Sequence, residues 1–593
     1  MRSKIRQNIR NKVFDILVVI TLFGVLVLSG GCGGGGTDSP KLTEKGAVTV
    51  AAEKQEAEIS LEKEICVAVA KEDGMADDEA FKEAGFVGAG DVETGGSESE
   101  QKPQTAEAPK RKLRSVVLGA STSTVNDIEE VIVPGNVNLI GMNAFDSRWS
   151  SLKRVIIRDT NIKLSYRTFN GCPNLEAVYI GDSTAANYFD FKSYINAHSS
   201  DSYSYPEQAF YNCPKLKCVS FGNVAPPAGT AFINSCGGSV GGTVIEAPYA
   251  KYSAYSSRLG SRYTVTRKTW SESFPDTMLV NQISIPGTHD SCTYQLRDYG
   301  GVDVVEEAQT QTKSLEEQLS LGVRCFDLRP FHESGYSDPV IHHGPISCKQ
   351  TFHSAIDKLC NHLKSHPRDF LIAMVNHEGF DTVNIPGIVE TEYCENHSKT
   401  SGDNQIQDEL QSWKNAGYAV DFKPGMTVKD MRGKILFLSR DFVDGRNPVG
   451  AYLRNWGGNT YTASIQSSRG QVNLMVQDKY KAAECNKLNE VRTKLNDFAA
   501  YVRNDHSYTG WCINHTSAYE DESYMLFMWV PGINYPYNAQ KVNGPTASDI
   551  GGLNGPTGIV VMDFAGKEDR SHYNKTYDTK GQTLLDAIIN HNF

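Results

Sequence analysis

In the C-terminal half of the chain, eight short apolar runs each lead into a side chain capable of chemistry. The run at 283–285 leads to His289 and Asp290, 325–328 contains Asp327 and leads to Arg329, and 340–341 leads to His342-His343. The remaining five are followed by Asn376-His377-Glu378, by Arg440, by Asp478 and Tyr480, by Asn514 and His515, and by Asp563. Two imidazoles can take and give a proton while carboxylates orient them, and a guanidinium can neutralise phosphoryl oxygens as charge builds. A cleft of that content suits a polyhydroxylated phosphate ester.

The elements that must gather these residues can be read from the spacing. The runs at 283–285, 325–328, 340–341, 370–375, 435–438, 473–476, 511–513 and 559–562 alternate with helix-like segments, notably 314–320, 354–364, 408–415 and 482–501. Eight alternating units predict an α/β fold of TIM type, regular or distorted, whose active site lies at the carboxyl ends of its strands. His342 and His343 are adjacent on a strand, so only one of them faces the site. His515 is read as structural, His377 as a strand-end residue in solvent, and Trp456, flanked by Asn455 and Gly457, as an exposed loop aromatic.

Six motifs in order carry a resemblance. Ile285-Pro286-Gly287-Thr288-His289-Asp290-Ser291, Gly322-Val323-Arg324-Cys325-Phe326-Asp327-Leu328-Arg329, His342-His343-Gly344-Pro345, Gly433-Lys434-Ile435-Leu436, Val476-Gln477-Asp478-Lys479-Tyr480 and Met562-Asp563-Phe564 resemble bacterial phosphatidylinositol-specific phospholipase C over about 300 residues. The resemblance implies that His289, held by Asp563, is the general base for the inositol 2-hydroxyl. It implies that His343, partnered by Asp290, is the general acid for the diacylglycerol oxygen, and that Arg329, assisted by Asp327, contacts the phosphate. Arg440, Asp478 and Tyr480 fall where that family binds the inositol ring. The implied products are 1,2-cyclic inositol phosphate and diacylglycerol, formed from phosphatidylinositol or a glycosylated inositol lipid at a membrane surface.

Two features bear on cofactor and specificity. Arg329 sets a fixed positive charge where eukaryotic relatives gather ligands for calcium, and a guanidinium and a hard dication repel in one pocket. The expectation is therefore catalysis with no metal and no cofactor. Where the bacterial enzymes carry a lysine, this chain has Asn376. An amide still bonds a hydroxyl but brings no charge.

The rest of the 593 residues describes how that half is delivered. Arg2, Lys4, Arg6, Arg10 and Lys12 precede an apolar stretch at 13–28 and then Ser29-Gly30-Gly31-Cys32, which resembles a bacterial export signal ending in a lipobox, with Cys32 as the lipid-bearing residue. Between 38 and 109 eighteen acidic residues stand against seven basic ones, so most of the formal net charge of −11 lies in a stretch too poor in apolar residues to fold. No basic patch for nucleic acid is evident. The thirteen cysteines contain no CxxC pair, and disulfides are open to them outside the cytosol.

Residues 113–268 repeat one short strand and turn. Glu130-Val131-Ile132-Val133 leads to Phe145, Val155-Ile156-Ile157 to Phe169, and Ala177-Val178-Tyr179-Ile180 to Phe210, with a fourth strand at 216–221. The long third interval implies an insertion at 185–205. The pattern resembles the leucine-rich repeats of exported bacterial surface proteins and predicts a short β-rich solenoid that binds protein or glycan or acts as a spacer. The expected organisation is thus an export signal at 1–31, a flexible acidic linker at 32–112, the repeats at 113–268 and the barrel at 269–593. A glycerophosphodiesterase-like barrel would need a carboxylate-ligated metal, which Arg329 opposes. An adhesin whose barrel has decayed is the non-enzyme alternative, but decay would have removed the reactive residues first.

Overall fold

In a computed structural model, the described residues are 111–113 and most of the chain from 128 onward, with 299–307 and 379–400 the longest stretches left out. The export signal, Cys32 and nearly all of the acidic linker lie outside the described residues. The repeats and the barrel belong to one compact unit. Among the described residues no helix is long and apolar enough to cross a membrane.

The repeat region forms a seven-stranded parallel sheet from Arg111–Leu113 to Val265–Arg267. A second parallel ladder of two-residue strands, starting at Phe145–Asp146, Phe169–Asn170, Phe210–Tyr211 and Ile233–Asn234, runs beside it. Each unit alone exposes its apolar face, and stacking closes it. Phe145 stacks on Phe169 at 4.9 Å and Phe169 on Phe210 at 4.6 Å, with interplanar angles of 7° and 2°. Among the described residues ten cysteines are free thiols, including Cys172 and Cys213 in this core.

The predicted insertion holds a helix, α1 (Tyr188–His198), and this helix fastens the repeats to the barrel. Tyr188 donates its backbone N–H to Gln282 at 3.1 Å, Lys192 donates to the Phe593 carbonyl at 2.7 Å, and Phe191 packs against Phe274 at 5.2 Å. Arg368 lies 4.5 Å over the Tyr179 ring. Gln282, Phe274 and Arg368 all precede a barrel strand in the chain, and Phe593 follows the last helix. The repeats therefore attach at the amino-terminal end of the barrel, opposite the end where an active site forms.

The barrel is closed by nine strands: β1 (Ile285–Thr288), β2 (Cys325–Leu328), β3 (Leu371–Val375), β4 (Ile435–Ser439), β5 (Ala451–Arg454), β6 (Asn459–Ser467), β7 (Gly470–Gln477), β8 (Trp511–His515) and β9 (Ile559–Met562). Every neighbouring pair is parallel except those made by β6, which runs antiparallel to β5 and β7. β9 closes on β1, with Ile285 opposite Ile559 and Thr288 opposite Met562. This corrects the regular eightfold reading in two places. The 340–341 run belongs to a strand, Val340–His343, in a separate antiparallel sheet with Pro330–Phe331 and Ile346–Thr351. The connections around it are too short for a parallel crossover, which needs a dozen or more residues. β5 and β6 were not anticipated; β6 is mostly polar in sequence and lacks a continuous apolar run, although Ala463, Ser464 and Ile465 are all buried.

Beneath the barrel a buried ion pair ties three elements together. Arg324 donates to Asp369 through Nε at 3.0 Å and approaches it through Nη2 at 2.8 Å, with both side chains almost fully buried. Ser271 and Thr269 donate to the same carboxylate from the segment leading out of the repeats, and His362 Nε2 lies 2.9 Å from it. Gly322, at φ +113°, caps the helix α2 (Leu315–Leu321), and a Cβ there would meet Ile589 at 2.6 Å. Burial alone would raise the Asp369 pKa, but the charge of Arg324 holds it well below the usual carboxylate range. A folded-state pKa below the unfolded value gives stability that is present above about pH 4 and lost as pH falls. Asp369→Asn should cost about 3–5 kcal/mol, because it leaves Arg324 buried and uncompensated. Urea titration should show a lower midpoint with unchanged slope, and most of the wild-type advantage should vanish under acid conditions.

Candidate active site

β1 ends in a turn that brings two consecutive side chains to one place. In a continuing strand His289 and Asp290 would point to opposite faces. Asp290 instead adopts φ +43°, a left-handed conformation that aspartate tolerates better than most residues. Both side chains then enter the mouth of the barrel. The turn is pinned from behind: Thr310 Oγ1 and Gln311 Nε2 donate to the His289 carbonyl at 3.0 and 3.1 Å, and Gln311 also donates to Met562 O at 2.9 Å.

His289 is held at both ring nitrogens. Nδ1 lies 2.9 Å from Asp563 Oδ1, from the end of β9, and Nε2 lies 3.1 Å from Asp290 Oδ2. His343 reaches the same Asp290 oxygen with Nε2 at 3.3 Å, while its Nδ1 lies 2.7 Å from the Ala308 carbonyl. The two imidazole centroids are 6.0 Å apart. His342 points away, buried against Phe331 at 4.9 Å, as the strand alternation requires.

Arg329 closes the cluster. Its Nε is 2.9 Å from Asp290 Oδ1, its Nε and Nη2 donate to Asp327 Oδ2 at 3.1 and 2.9 Å, and Nη1 is 3.9 Å from Glu378. The carboxylates a cation would need beside His289 are thus already engaged by the guanidinium. Burial alone would lower the His289 pKa, but the charges of Asp290 and Asp563 override it and push it up to about 9. Burial raises the Asp563 pKa in turn, partly offset by His289. Burial also opposes ionisation of Asp327, yet Arg329 holds its carboxyl well below the usual range.

A second group adjoins the first. Trp456 donates its indole N–H to Asp478 at 2.9 Å, the Arg440 guanidinium lies 4.8 Å over the Trp456 ring, and His515 stands edge-on at 6.0 Å from that ring and 6.3 Å from His289. Burial pushes the His515 pKa down to about 4, so this imidazole is neutral near pH 7. Tyr480 is 56% exposed on the rim, 6.1 Å from Tyr519. Asn376 stands half-buried after β3 and makes no side-chain hydrogen bond to either group.

Two sequence readings are corrected here. Trp456 is a half-buried wall of the site rather than an exposed loop tip, because its N–H is taken by Asp478. His377 is buried at 1% exposure rather than solvated. His515, read as structural, is buried and stands edge-on to Trp456 beside the site. Glu378, noted after its apolar run without an assigned role, accepts the Gly344 N–H at 3.0 Å, and one further contributor was not singled out: Tyr535, whose hydroxyl lies 3.1 Å from His343 Nε2. Tyr535 is 192 residues from His343 in the chain, and no local pattern marks it.

Residues 283–440 match the family described as phosphatidylinositol-specific phospholipase C, X domain, and residues 121–237 match six copies of the BspA type leucine rich repeat region, more units than the sequence spacing alone revealed. A 1-phosphatidylinositol phosphodiesterase of Listeria monocytogenes is 27% identical over 311 residues, covering 51% of this chain and 83% of the relative. One of Staphylococcus aureus is 24% identical over 318 residues, covering 53% and 93%. A solved structure of the S. aureus phosphatidylinositol-specific phospholipase C aligns with a TM-score of 0.41 at 22% identity, over 55% of this chain and 97% of that one. Residues 283–440 are thus similar to the phosphatidylinositol-specific phospholipase C X domain, and residues 121–237 to the BspA-type leucine-rich repeat region.

Proposed function

We propose that this protein cleaves phosphatidylinositol, or an inositol lipid bearing a glycan, by intramolecular attack of the inositol 2-hydroxyl on phosphorus. The observation that carries this reading is the single cluster in which two imidazoles, three carboxylates and a guanidinium meet at the barrel mouth. In the reaction the bond from the 2-oxygen to phosphorus forms and the bond from phosphorus to the diacylglycerol oxygen breaks. His289 Nε2 takes the hydroxyl proton, with Asp563 balancing the charge that the ring gains. His343 Nε2 gives a proton to the departing oxygen. Arg329 opposes the negative charge that builds on the nonbridging oxygens, and Asp327 holds its planar fork in place.

The same reading assigns the inositol ring to the wall made by Arg440, Asp478 and Tyr480, with Trp456 as a floor. A ring carrying hydroxyls on one face suits donors and acceptors along its edge and an aromatic surface beneath it. Asn376 adds a neutral amide where a charge would favour a phosphorylated headgroup, which supports an unphosphorylated inositol as substrate. Arg329 takes the electrostatic role of a metal ion, because its guanidinium already faces one oxygen of Asp290 and one of Asp327. Export through the N-terminal signal and anchoring by acylation of Cys32 complete the proposal, and place the enzyme at a bacterial membrane or surface.

Phosphorus NMR of phosphatidylinositol incubated with the full chain should show the 1,2-cyclic phosphate at the same rate with and without chelator; loss of product in chelator would overturn the metal-free assignment. His289→Ala and His343→Ala should each lower kcat by about 10²–10⁴-fold. Arg329→Lys should cost about 10²–10³-fold, since a point charge cannot reproduce two fixed donors. Ring-proton titration should place His289 near 9 in the wild type. In Asp563→Asn the value should fall, because a charge favouring the protonated ring is removed. An unchanged titration would separate Asp563 from the base.

A further inference from the structure

The general acid has a second neighbour that its assigned carboxylate cannot replace. His343 Nδ1 faces the Ala308 carbonyl at 2.7 Å, and a carbonyl can only accept, so the Nδ1 proton is fixed. Every change of protonation at this ring therefore happens at Nε2. That nitrogen lies 3.3 Å from Asp290 Oδ2 and 3.1 Å from the Tyr535 hydroxyl. The two neighbours differ in what they can do. A carboxylate accepts from the charged ring but has no proton to offer the neutral one. The phenol does.

We propose that Tyr535 is a positioning residue for the general acid, donating its hydroxyl hydrogen to Nε2 of His343 whenever that nitrogen is bare. The proposal rests on the reading of His343 as the acid and adds the group that receives it after proton transfer. Before the step, the Nε2 proton points into the space shared by Asp290 and the leaving oxygen. Afterwards the proton is on the diacylglycerol oxygen and Nε2 carries a lone pair. Tyr535 then fills that lone pair without moving the ring. Asp290 stabilises the acid before transfer and Tyr535 the imidazole after it, so the pair sets how readily the proton leaves.

The scaffold fits the task. Tyr535 opens helix α3 (Tyr535–Gly551), where the Asn534 side chain caps the first turn by accepting from Tyr537 N at 2.9 Å and also donates to Tyr577 at 3.1 Å. The ring is 5% exposed and packs with Ala539 and Phe564. Burial raises the phenol pKa well above its ordinary value, so the hydroxyl keeps its proton through the working range. The other charged or titratable groups facing His343 are Asp290 with Arg329 on its far oxygen, the His289 ring with Asp563 behind it, and Glu378, which holds the Gly344 N–H. Of these, Arg329 directs its donors to Asp327, Asp290 and Glu378, and His289 faces Asp563 and Asp290 rather than the His343 nitrogen.

Tyr535→Phe keeps the ring and removes the hydroxyl. With phosphatidylinositol vesicles the expected result is a fall in kcat of about five- to tenfold, the weight of one hydrogen bond, with KM little changed. With an inositol phosphate ester whose leaving group is an acidic phenol, which departs without needing a proton, Tyr535→Phe should run at the wild-type rate. A variant with unchanged kcat on phosphatidylinositol would overturn the proposal. A variant slowed equally on both esters has lost folded protein or site geometry rather than a partner of the acid, and would overturn it equally. His343→Ala run alongside separates the two readings: if it too retains full activity, the acid assignment itself fails, whereas if it is inactive and Tyr535→Phe is unaffected, only the role of Tyr535 falls.

Discussion

One carboxylate, that of Asp290, faces two imidazoles through one oxygen and a guanidinium through the other. Three cationic or potentially cationic groups cannot be packed within a few ångströms unless negative charge is shared among them. Asp290 shares it, with Asp563 and Asp327 supporting from either side. The left-handed turn that places it is strained for most residues and is held by Thr310 and Gln311, so strain and support sit at the same point. The barrel's closure serves that point as well, since β9 must pair with β1 before Asp563 can reach His289.

The arrangement is charged yet nearly dry, and this explains why the groups differ so much in their proton affinity. His289 is driven up by two carboxylates, whereas His515, 6.3 Å away, is driven down by burial. One ring therefore changes charge readily while the other remains a neutral wall. Such separation of otherwise similar groups is what acid–base chemistry in a small space requires.

Much of this was legible in the sequence, for identifiable reasons. Reactive residues that directly follow apolar runs, such as His289, Arg329, Asp478 and Asp563, could be placed because strand direction fixes which end of a barrel they occupy. The repeat strands were readable because each unit recurs. What escaped depended on contacts without a local signature. Tyr535 reaches His343 only through the folding of a distant helix start, and Trp456 looked like a loop residue because its hydrogen-bond partner, Asp478, lies just beyond the end of β7. The count of barrel strands failed where a polar antiparallel strand interrupts a parallel order, and where a pair of apolar residues belonged to a hairpin.

The helix inserted into the repeats grips the barrel by its closed end. Because Tyr188, Phe191 and Lys192 lock the two parts through side chains and chain-terminal carbonyls, the solenoid is not a loose handle that could swing across the mouth. The repeats are thus fixed on the far side of the molecule from the barrel mouth. Their exposed face therefore cannot fold over the mouth, and access to the reacting groups stays independent of what the solenoid touches.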